Sequence, residues 1–197
     1  MDDKKYFPLR VLHIVLLGVA LVLCVIAFFS WVTTAYVNNS FSNGATVTSL
    51  IQGVVEVIAL GAAILYSVSG FKKSAAGSYK VFASLLVLTL VLRVVGFFFE
   101  DKISLIAIIA YAASAMGTAV LAFGKDLGKR NALTIFAIIA ALMVIMMATV
   151  IMRAASGAYG DLALNRLSGA LANLLLVGTF GNMIYGKYID KASRGSK

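Results

Sequence analysis

The sequence predicts an all-α polytopic membrane protein with six transmembrane helices. Of its 197 residues, 61% are hydrophobic and 13% charged, and the mean hydropathy is +0.98. A soluble domain has only about half apolar residues and roughly a quarter charged ones. Six apolar stretches are each long enough for a helix to cross a hydrocarbon core about 30 Å thick. They lie near residues 9–31, 46–69, 80–99, 103–123, 131–152 and 163–186.

The apolar stretches are continuous and rich in Leu, Ile, Val and Ala, which favours helices over the alternating strands of a transmembrane barrel. The first stretch follows Lys4, Lys5 and Arg10, a pattern that resembles a signal peptide. It is longer than the core of a signal peptide, about 7 to 15 residues, so we interpret it as a retained helix. The six stretches leave no room for a soluble domain, and residues 1–197 are predicted to form one transmembrane domain.

The net charge of +9 is unevenly distributed along the chain. If the N-terminus is cytoplasmic, the inner segments carry 13 of the 17 basic residues and four of the eight acidic ones. The positive-inside rule then predicts that both termini are cytoplasmic, in a multi-pass protein of the cell (cytoplasmic) membrane. The basic face is expected to attract anionic lipid headgroups, and it is not a nucleic-acid footprint.

The inner ends of the even-numbered helices share a glycine followed closely by lysine. The three segments are Ser69-Gly-Phe-Lys-Lys73, Phe123-Gly-Lys-Asp126 and Tyr185-Gly-Lys-Tyr188. Glycine at such an end adopts a left-handed cap, and lysine meets the negative end of the helix dipole. The motif has two interpretations: independent capping of three helices that run inward, or an ancestral repeat of three helical hairpins.

Two charged residues interrupt the apolar stretches, Glu56 near the middle of helix 2 and Arg93 in the outer half of helix 3. The predicted inner turn between these helices is centred near residue 75, so residues equally distant from it in sequence lie at equal depth. Glu56 and Arg93 satisfy this condition, and we expect them to pair, because a charge in hydrocarbon costs about 2.5–3.5 kcal/mol on insertion scales. The pair is either a structural link between the helices or part of a path for a solute or a proton.

Further polar residues extend this pair towards the outer surface. Gln52 lies one turn before the acid of helix 2, on the same helix face. Gly96 lies on the face of Arg93, and Glu100 lies two turns above it. The sequence therefore predicts a polar stripe from the middle of the membrane to its outer side.

A second group of polar residues belongs to helices 5 and 6. Arg153 ends helix 5 and Arg166 begins helix 6, with Tyr159 and Asp161 between them. Two neighbouring arginines attract an anion, which is an acidic side chain, a lipid phosphate or a solute carboxylate. Alternatively, each arginine reaches the headgroups singly. Asn173, two turns below Arg166, places an amide at mid-depth, where a hydrogen-bond partner on another helix is expected.

Residues typical of catalysis and metal binding are scarce. The chain has one histidine, His13, and one cysteine, Cys24, and it lacks the HExxH, CxxC, Gly-x-Ser-x-Gly and P-loop motifs. Methionines at helical spacing in helix 5 are potential Cu(I) ligands, but such methionines usually pack against other side chains. We therefore predict no enzymatic activity, no metal site and no cofactor.

These observations predict solute recognition or transport through an outward-facing polar pocket between helices 2, 3, 5 and 6. The outer loop at residues 36–44 is predicted to cover the pocket. The predicted substrate-binding residues are Gln52, Glu56, Arg93, Arg153, Arg166 and Asn173.

The size, helix number and orientation are similar to those of the substrate-binding subunits of energy-coupling-factor vitamin transporters, a likeness of architecture that no sequence motif carries. The alternative function is that of a non-transporting membrane subunit, assembly factor or immunity-type protein. Such a protein binds a partner membrane subunit through small-residue faces, such as residues 115–119 of helix 4. The expected partners are thus the lipid bilayer with either a small-molecule solute or a membrane subunit.

Overall fold

The computed structural model describes residues 3–69, 78–99, 104–124 and 127–188, with side chains placed at 9–68, 79–99, 104–124, 127–160 and 162–185. Within these ranges the chain forms six α-helices and one 3-10 turn at Gly160–Leu162. The helices are α1 Asp3–Val37, α2 Gly44–Ser69, α3 Ser78–Phe97, α4 Leu105–Phe123, α5 Gly128–Ala155 and α6 Ala163–Tyr188. The predicted all-α class with six helices is confirmed.

All six described helices are long and apolar enough to cross a membrane. Their outward faces are apolar as well, whereas a helix on the surface of a soluble protein has polar residues there. On α1 the exposed stripe consists of Val15, Val19, Val22, Ile26 and Phe29. Such faces suit a lipid environment, so the chain is an integral, multi-pass membrane protein.

Most helix boundaries lie close to their predicted positions, and α1 is the exception. It was predicted to end near residue 31 and continues to Val37. The hydroxyls of Thr33 and Thr34 donate to carbonyl oxygens one turn earlier, at 2.9 and 3.0 Å, so these polar side chains are satisfied within the helix. The connection to α2 is therefore short and consists of residues 38–43.

The six helices form a closed ring in which each helix packs against the next and α6 packs against α1. α6 also contacts α2 and α3 across the ring. It is the most enclosed helix, with 67% of its apolar 18-residue segment buried against 22% for α1 and α5. The inner face of α6 is therefore where side chains from several helices meet.

Two polar contacts define the antiparallel register of α1 and α6. His13 Nε2 lies 2.9 Å from Thr179 Oγ1, and Cys24 Sγ donates to the carbonyl oxygen of Ser168 at 3.6 Å. His13 and Cys24 are three helical turns apart and so lie on one face of α1. Trp31 lies two further turns along the same face. This side of α1 faces the interior of the bundle.

Arg10 joins α1 to α2 at the end of the bundle where α2 finishes. Its Nε and Nη2 donate to the carbonyl oxygen of Ser67 at 3.0 and 2.7 Å, and Nη2 also donates to that of Val68 at 3.0 Å. Carbonyls in the last turn of a helix have no partner within the helix and carry its negative dipole end. Arg10, which lies on a neighbouring helix, thus donates hydrogen bonds to carbonyl groups that would otherwise be unpaired at the end of α2.

The opposite end of the bundle, which holds the loops at 38–43 and 156–162, is hereafter the predicted outer end. Its orientation stays a prediction from charge. Some residues behind the sequence predictions lie outside the described part of the chain. These are Gly70, Lys72, Lys73, Lys125, the loop residues Glu100 and Asp101, and the side chains of Asp161 and Lys187.

Candidate functional site

The guanidinium of Arg93 is paired with the carboxylate of Glu56 inside the bundle. Arg93 Nη2 lies 2.6 Å from Glu56 Oε1, and the two residues are 6% and 5% exposed. From one turn away on α2, Gln52 Nε2 donates to the same oxygen at 3.0 Å. The pairing of Arg93 with Glu56 that follows from their equal depth is confirmed.

Arg93 also packs against the backbone of α6. A Cβ atom at Gly169 would overlap the Arg93 guanidinium, so this position requires a residue without a side chain. Arg93 therefore links three helices: its own α3, α2 through Glu56, and α6 through Gly169. Its Nε is buried and forms no hydrogen bond with any described residue.

A cavity of about 70 Å³, hereafter the central cavity, lies beside this ion pair towards the predicted outer end. Its lining residues come from α1, α2, α3, α6 and the 3-10 turn. They include Cys24, Phe28, Trp31, Ser49, Gln52, Glu56, Arg93, Gly96, Leu162, Asn165, Arg166 and Ser168. A single water molecule needs about 10–15 Å³ of such space, so the cavity has room for a few heavy atoms.

Two hydrogen-bond donors on residues of this lining are buried without an acceptor among the described residues. They are the indole Nε1 of Trp31 and the Nε of Arg93. Leaving a buried donor unpaired costs about 1–3 kcal/mol. A group that accepts hydrogen bonds from these donors would therefore be stabilised in the cavity, and the guanidinium of Arg166 adds positive charge to the same lining.

The chain shows no match to a protein-family model, to a curated protein or to a solved structure. The likeness to energy-coupling-factor subunits stays a prediction from size and helix number.

α1 supplies the part of the central cavity that the sequence prediction missed. Cys24 and Trp31 line it, whereas α5, which was expected to do so, contributes no described residue. The buried and exposed faces of α1 are both largely apolar, so hydropathy does not reveal which face of α1 is inside. The available signal was spacing, because His13, Cys24 and Trp31 recur at whole numbers of turns on one face.

A second cavity, of about 30 Å³, lies between α3, α4, α5 and α6 and is hereafter the side cavity. Its lining includes Arg93, Phe97, Ser104, Tyr111, Met146, Thr149, Arg153, Tyr159 and Arg166. The Arg153 guanidinium carbon lies 5.2 Å from the centre of the Tyr159 ring. The two arginines predicted to lie close together do border one cavity, but Arg153 is absent from the lining of the central one. Arg93 and Arg166 border both cavities.

The loop predicted to cover the pocket lies elsewhere. In residues 38–43, Ser40 N donates to the carbonyl oxygen of Ala35 at 3.0 Å, and Asn43 Oδ1 accepts from Ala45 N at 3.0 Å at the start of α2. No residue of this loop lines the central cavity, whereas Leu162 of the 3-10 turn does. The extension of α1 shortens this connection to residues 38–43.

Asn173, the last predicted binding residue, lines neither cavity. It is 1% exposed, and neither atom of its amide forms a hydrogen bond with a described residue. Asn173 lies one turn deeper than Gly169 on α6, and Thr89 lies one turn deeper than Arg93 on α3. Asn173 and Thr89 are therefore at about the same depth. The Thr89 hydroxyl donates to the carbonyl oxygen of Leu85 at 2.8 Å. Among the described residues, the expected bond from Asn173 to another helix is not formed.

The lining of the central cavity includes several strong hydrogen-bond donors. Within the described residues, no three His, Cys, Asp or Glu side chains are close enough together to hold a metal ion. Glu56, the one acid among the described lining residues, already accepts from Arg93 and Gln52. Guanidinium and indole N–H groups donate to carboxylates, phosphates and carbonyls. This arrangement suits recognition of an acceptor-bearing group.

Proposed function

We propose that the protein recognises a small solute with a carboxylate or similar acceptor group at the predicted outer end of the bundle, as a solute-binding or transporting membrane protein. The supporting observation is the central cavity, where Trp31 Nε1 and Arg93 Nε are buried without an acceptor. An acceptor group between them satisfies both donors, and Arg166 attracts its charge. In this role the central cavity binds the solute without a chemical reaction.

The volume of the central cavity limits the solute. Pockets for drug-sized ligands measure roughly 300–1,000 Å³, whereas this cavity measures about 70 Å³. It therefore encloses a molecule of a few heavy atoms or one functional group of a larger molecule. Acetate and glycine are suitable probes, because both present a carboxylate on a short chain.

The chain contains its own reporters for this site. Trp31 is the only tryptophan and Cys24 the only cysteine, and both line the central cavity. The purified protein is titrated with acetate, glycine or acetamide while Trp31 emission and labelling of Cys24 by N-ethylmaleimide are followed. At ten times the apparent Kd of acetate or glycine, mass action predicts that labelling slows about tenfold. Absence of a saturable response to both carboxylates would contradict the proposal, and acetamide, which has no charge, is expected to bind more weakly.

A matched pair of variants tests the role of Arg166. Arg166→Gln removes a charge from the cavity lining, and Arg130→Gln removes one from an exposed position near the opposite end of the bundle. We expect Arg166→Gln to weaken acetate binding about tenfold, since hydrogen bonds to charged groups contribute about 1.5–3 kcal/mol. Arg130→Gln is expected to bind as the wild type does. Equal affinities of the two variants would exclude Arg166 from recognition. Uptake of glycine into proteoliposomes then separates transport from binding alone.

A second candidate function is that of a non-transporting membrane subunit, assembly factor or immunity-type protein. The observation in its favour is that Arg93 joins α2, α3 and α6 through Glu56 and Gly169 without any ligand. The charge swap Glu56→Arg with Arg93→Glu distinguishes the two functions. If the site recognises a solute, the swapped protein folds but does not respond to acetate. If the pair only joins helices, the swap restores stability and leaves partner binding intact.

A further inference from the structure

We infer that internal water binds in the middle of the bundle, at buried polar side chains of α4 and α6. These are Ser114, Thr118 and Asn173, hereafter the middle layer, and they are 0%, 0% and 1% exposed. Both hydroxyl oxygens and both amide atoms of Asn173 have no hydrogen-bond partner among the described residues. Buried polar groups are almost always hydrogen-bonded, either to protein groups or to ordered water. None of the three residues lines the central cavity, so the middle layer is separate from the proposed solute site.

The middle layer continues the inner faces of α4 and α6 from the side cavity towards the middle of the membrane. Tyr111 of α4 and Arg166 of α6 line the side cavity. Ser114 and Thr118 follow Tyr111 by one and two turns, and Asn173 follows Arg166 by two turns. Both helices run from the predicted outer end inward, so the three polar side chains lie deeper than the cavity on the faces that enclose it.

The hydroxyls of Ser114 and Thr118 differ from hydroxyls that bond within their own helix. A serine or threonine in a helix commonly donates to the carbonyl oxygen four residues earlier. The residues that do so here include Thr33, Thr34, Ser84, Thr89, Thr134, Thr149 and Thr179. Ser114 and Thr118 form no such bond, although their burial separates them from bulk solvent. Their protons therefore stay available to an acceptor between the helices.

The chemistry of the middle layer favours water over an ion. On one amide, Asn173 has an unpaired donor, Nδ2, and an unpaired acceptor, Oδ1. Water accepts from the first and donates to the second, whereas a cation binds only the acceptor and a halide only the donor. An ion in hydrocarbon also needs a partner charge.

Partner charges are scarce at this depth. The four helices around the side cavity have no charged residue at 82–92, 112–124, 132–151 and 167–184. Arg93, just outside these ranges, is already paired with Glu56. A neutral ligand that both donates and accepts therefore suits the middle layer, and internal waters typically form about three hydrogen bonds to such groups.

Solid-state NMR of the full chain in liposomes measures the hydration of Asn173 through transfer of ¹H magnetisation from water. The side-chain amide of Asn173 is compared with that of Asn39, which is exposed, and with the methyl groups of Leu17 on α1, which is 0% exposed. We expect the transfer to Asn173 to be as fast as that to Asn39 and faster than that to Leu17. A transfer to Asn173 as slow as that to Leu17 overturns the inference.

A matched pair of variants tests the contribution of one hydroxyl. Ser114→Ala removes a hydroxyl of the middle layer, and Ser84→Ala removes an exposed one that donates to the carbonyl oxygen of Lys80. We expect Ser114→Ala to slow the transfer to Asn173 about twofold, because the water loses one of about three partners. Ser84→Ala is expected to leave the transfer unchanged, and equal effects of the two variants overturn the inference.

The comparison of Asn173 with Asn39 and Leu17 uses the wild type, so it is decisive even if Ser114→Ala does not fold. Neither measurement involves acetate or a residue of the central cavity. Failure here is therefore distinguishable from failure of the proposed solute site.

Discussion

The Arg93 guanidinium lies in the space that a Cβ atom at position 169 would fill. Gly169→Ala therefore pushes the guanidinium away from α6 and strains its contact with Glu56. We expect the free energy of unfolding to fall by about 1–3 kcal/mol, as for other overpacked interiors. Gly61→Ala is the matched control, because nothing lies within 4 Å of its added methyl group. Alanine is favoured over glycine in helices, so the control is expected to be neutral or slightly stabilising. Equal stabilities in denaturant unfolding would refute the close packing at Gly169.

The Glu56–Arg93 pair is expected to be strongly coupled in stability. Glu56→Leu or Arg93→Leu leaves one buried charge without its partner, which typically costs about 3–5 kcal/mol. The double variant removes both charges and is expected to recover most of this loss, because apolar replacements of buried ion pairs are often neutral. Unfolding of the four proteins in detergent measures the coupling. Simple additivity of the two single losses would show that the pair contributes no joint stability.

His13 is expected to carry a proton on Nε2. The Thr179 hydroxyl has one proton, which it donates to the carbonyl oxygen of Leu175 at 3.0 Å, so the oxygen accepts from His13 at 2.9 Å. Because His13 is the only histidine, ¹⁵N labelling of histidine gives one ring spectrum. We expect the shift of a protonated Nε2 in the wild type and a changed shift in Thr179→Val. A deprotonated Nε2 in the wild type would contradict this assignment of the donor.

The charge distribution predicts that the loop at 38–43 faces the outside of the cell and that Lys129 faces the cytoplasm. Asn39→Cys and Lys129→Cys, each combined with Cys24→Ala, place one thiol on either side of the bundle. In intact cells, a maleimide that does not cross membranes is expected to label only the cysteine at position 39. Labelling of position 129 alone would reverse the orientation, and permeabilised cells serve as the control for reactivity of both thiols.

The features that the sequence predicted best are those with a local signal. Helix number and type follow from uninterrupted apolar length, because a bilayer requires every backbone group to bond within its own helix. The Glu56–Arg93 pair follows from adjacent antiparallel helices, in which distance from the shared turn determines depth. The early predicted end of α1 was wrong because Thr33 and Thr34 bond to their own helix, which removes the polarity by which helix ends are recognised.

The rest of the site depends on contacts between helices that are distant in sequence. The packing of α6 against α1 places Cys24 beside Ser168, and no hydropathy pattern reports which apolar face turns inward. Because hydropathy does not report the inward face of a helix, α5 was expected to line the central cavity. For the same reason Arg153 was predicted to bind the solute together with Glu56. Asn173 was expected to bond across helices, but neither atom of its amide has a partner among the described residues.

The central position of α6 has a consequence for biosynthesis. Of the six helices, α6 is the last to leave the ribosome, yet it closes the ring and packs against α1, α2, α3 and α5. Glu56 and Arg93 lie on consecutive helices that are synthesised before α6, so their ion pair does not need α6 to supply a partner charge. Both cavities are lined partly by residues of α6 and are completed only when it arrives. A chain that ends before α6 thus has partners for these two charges but lacks part of the lining of both cavities.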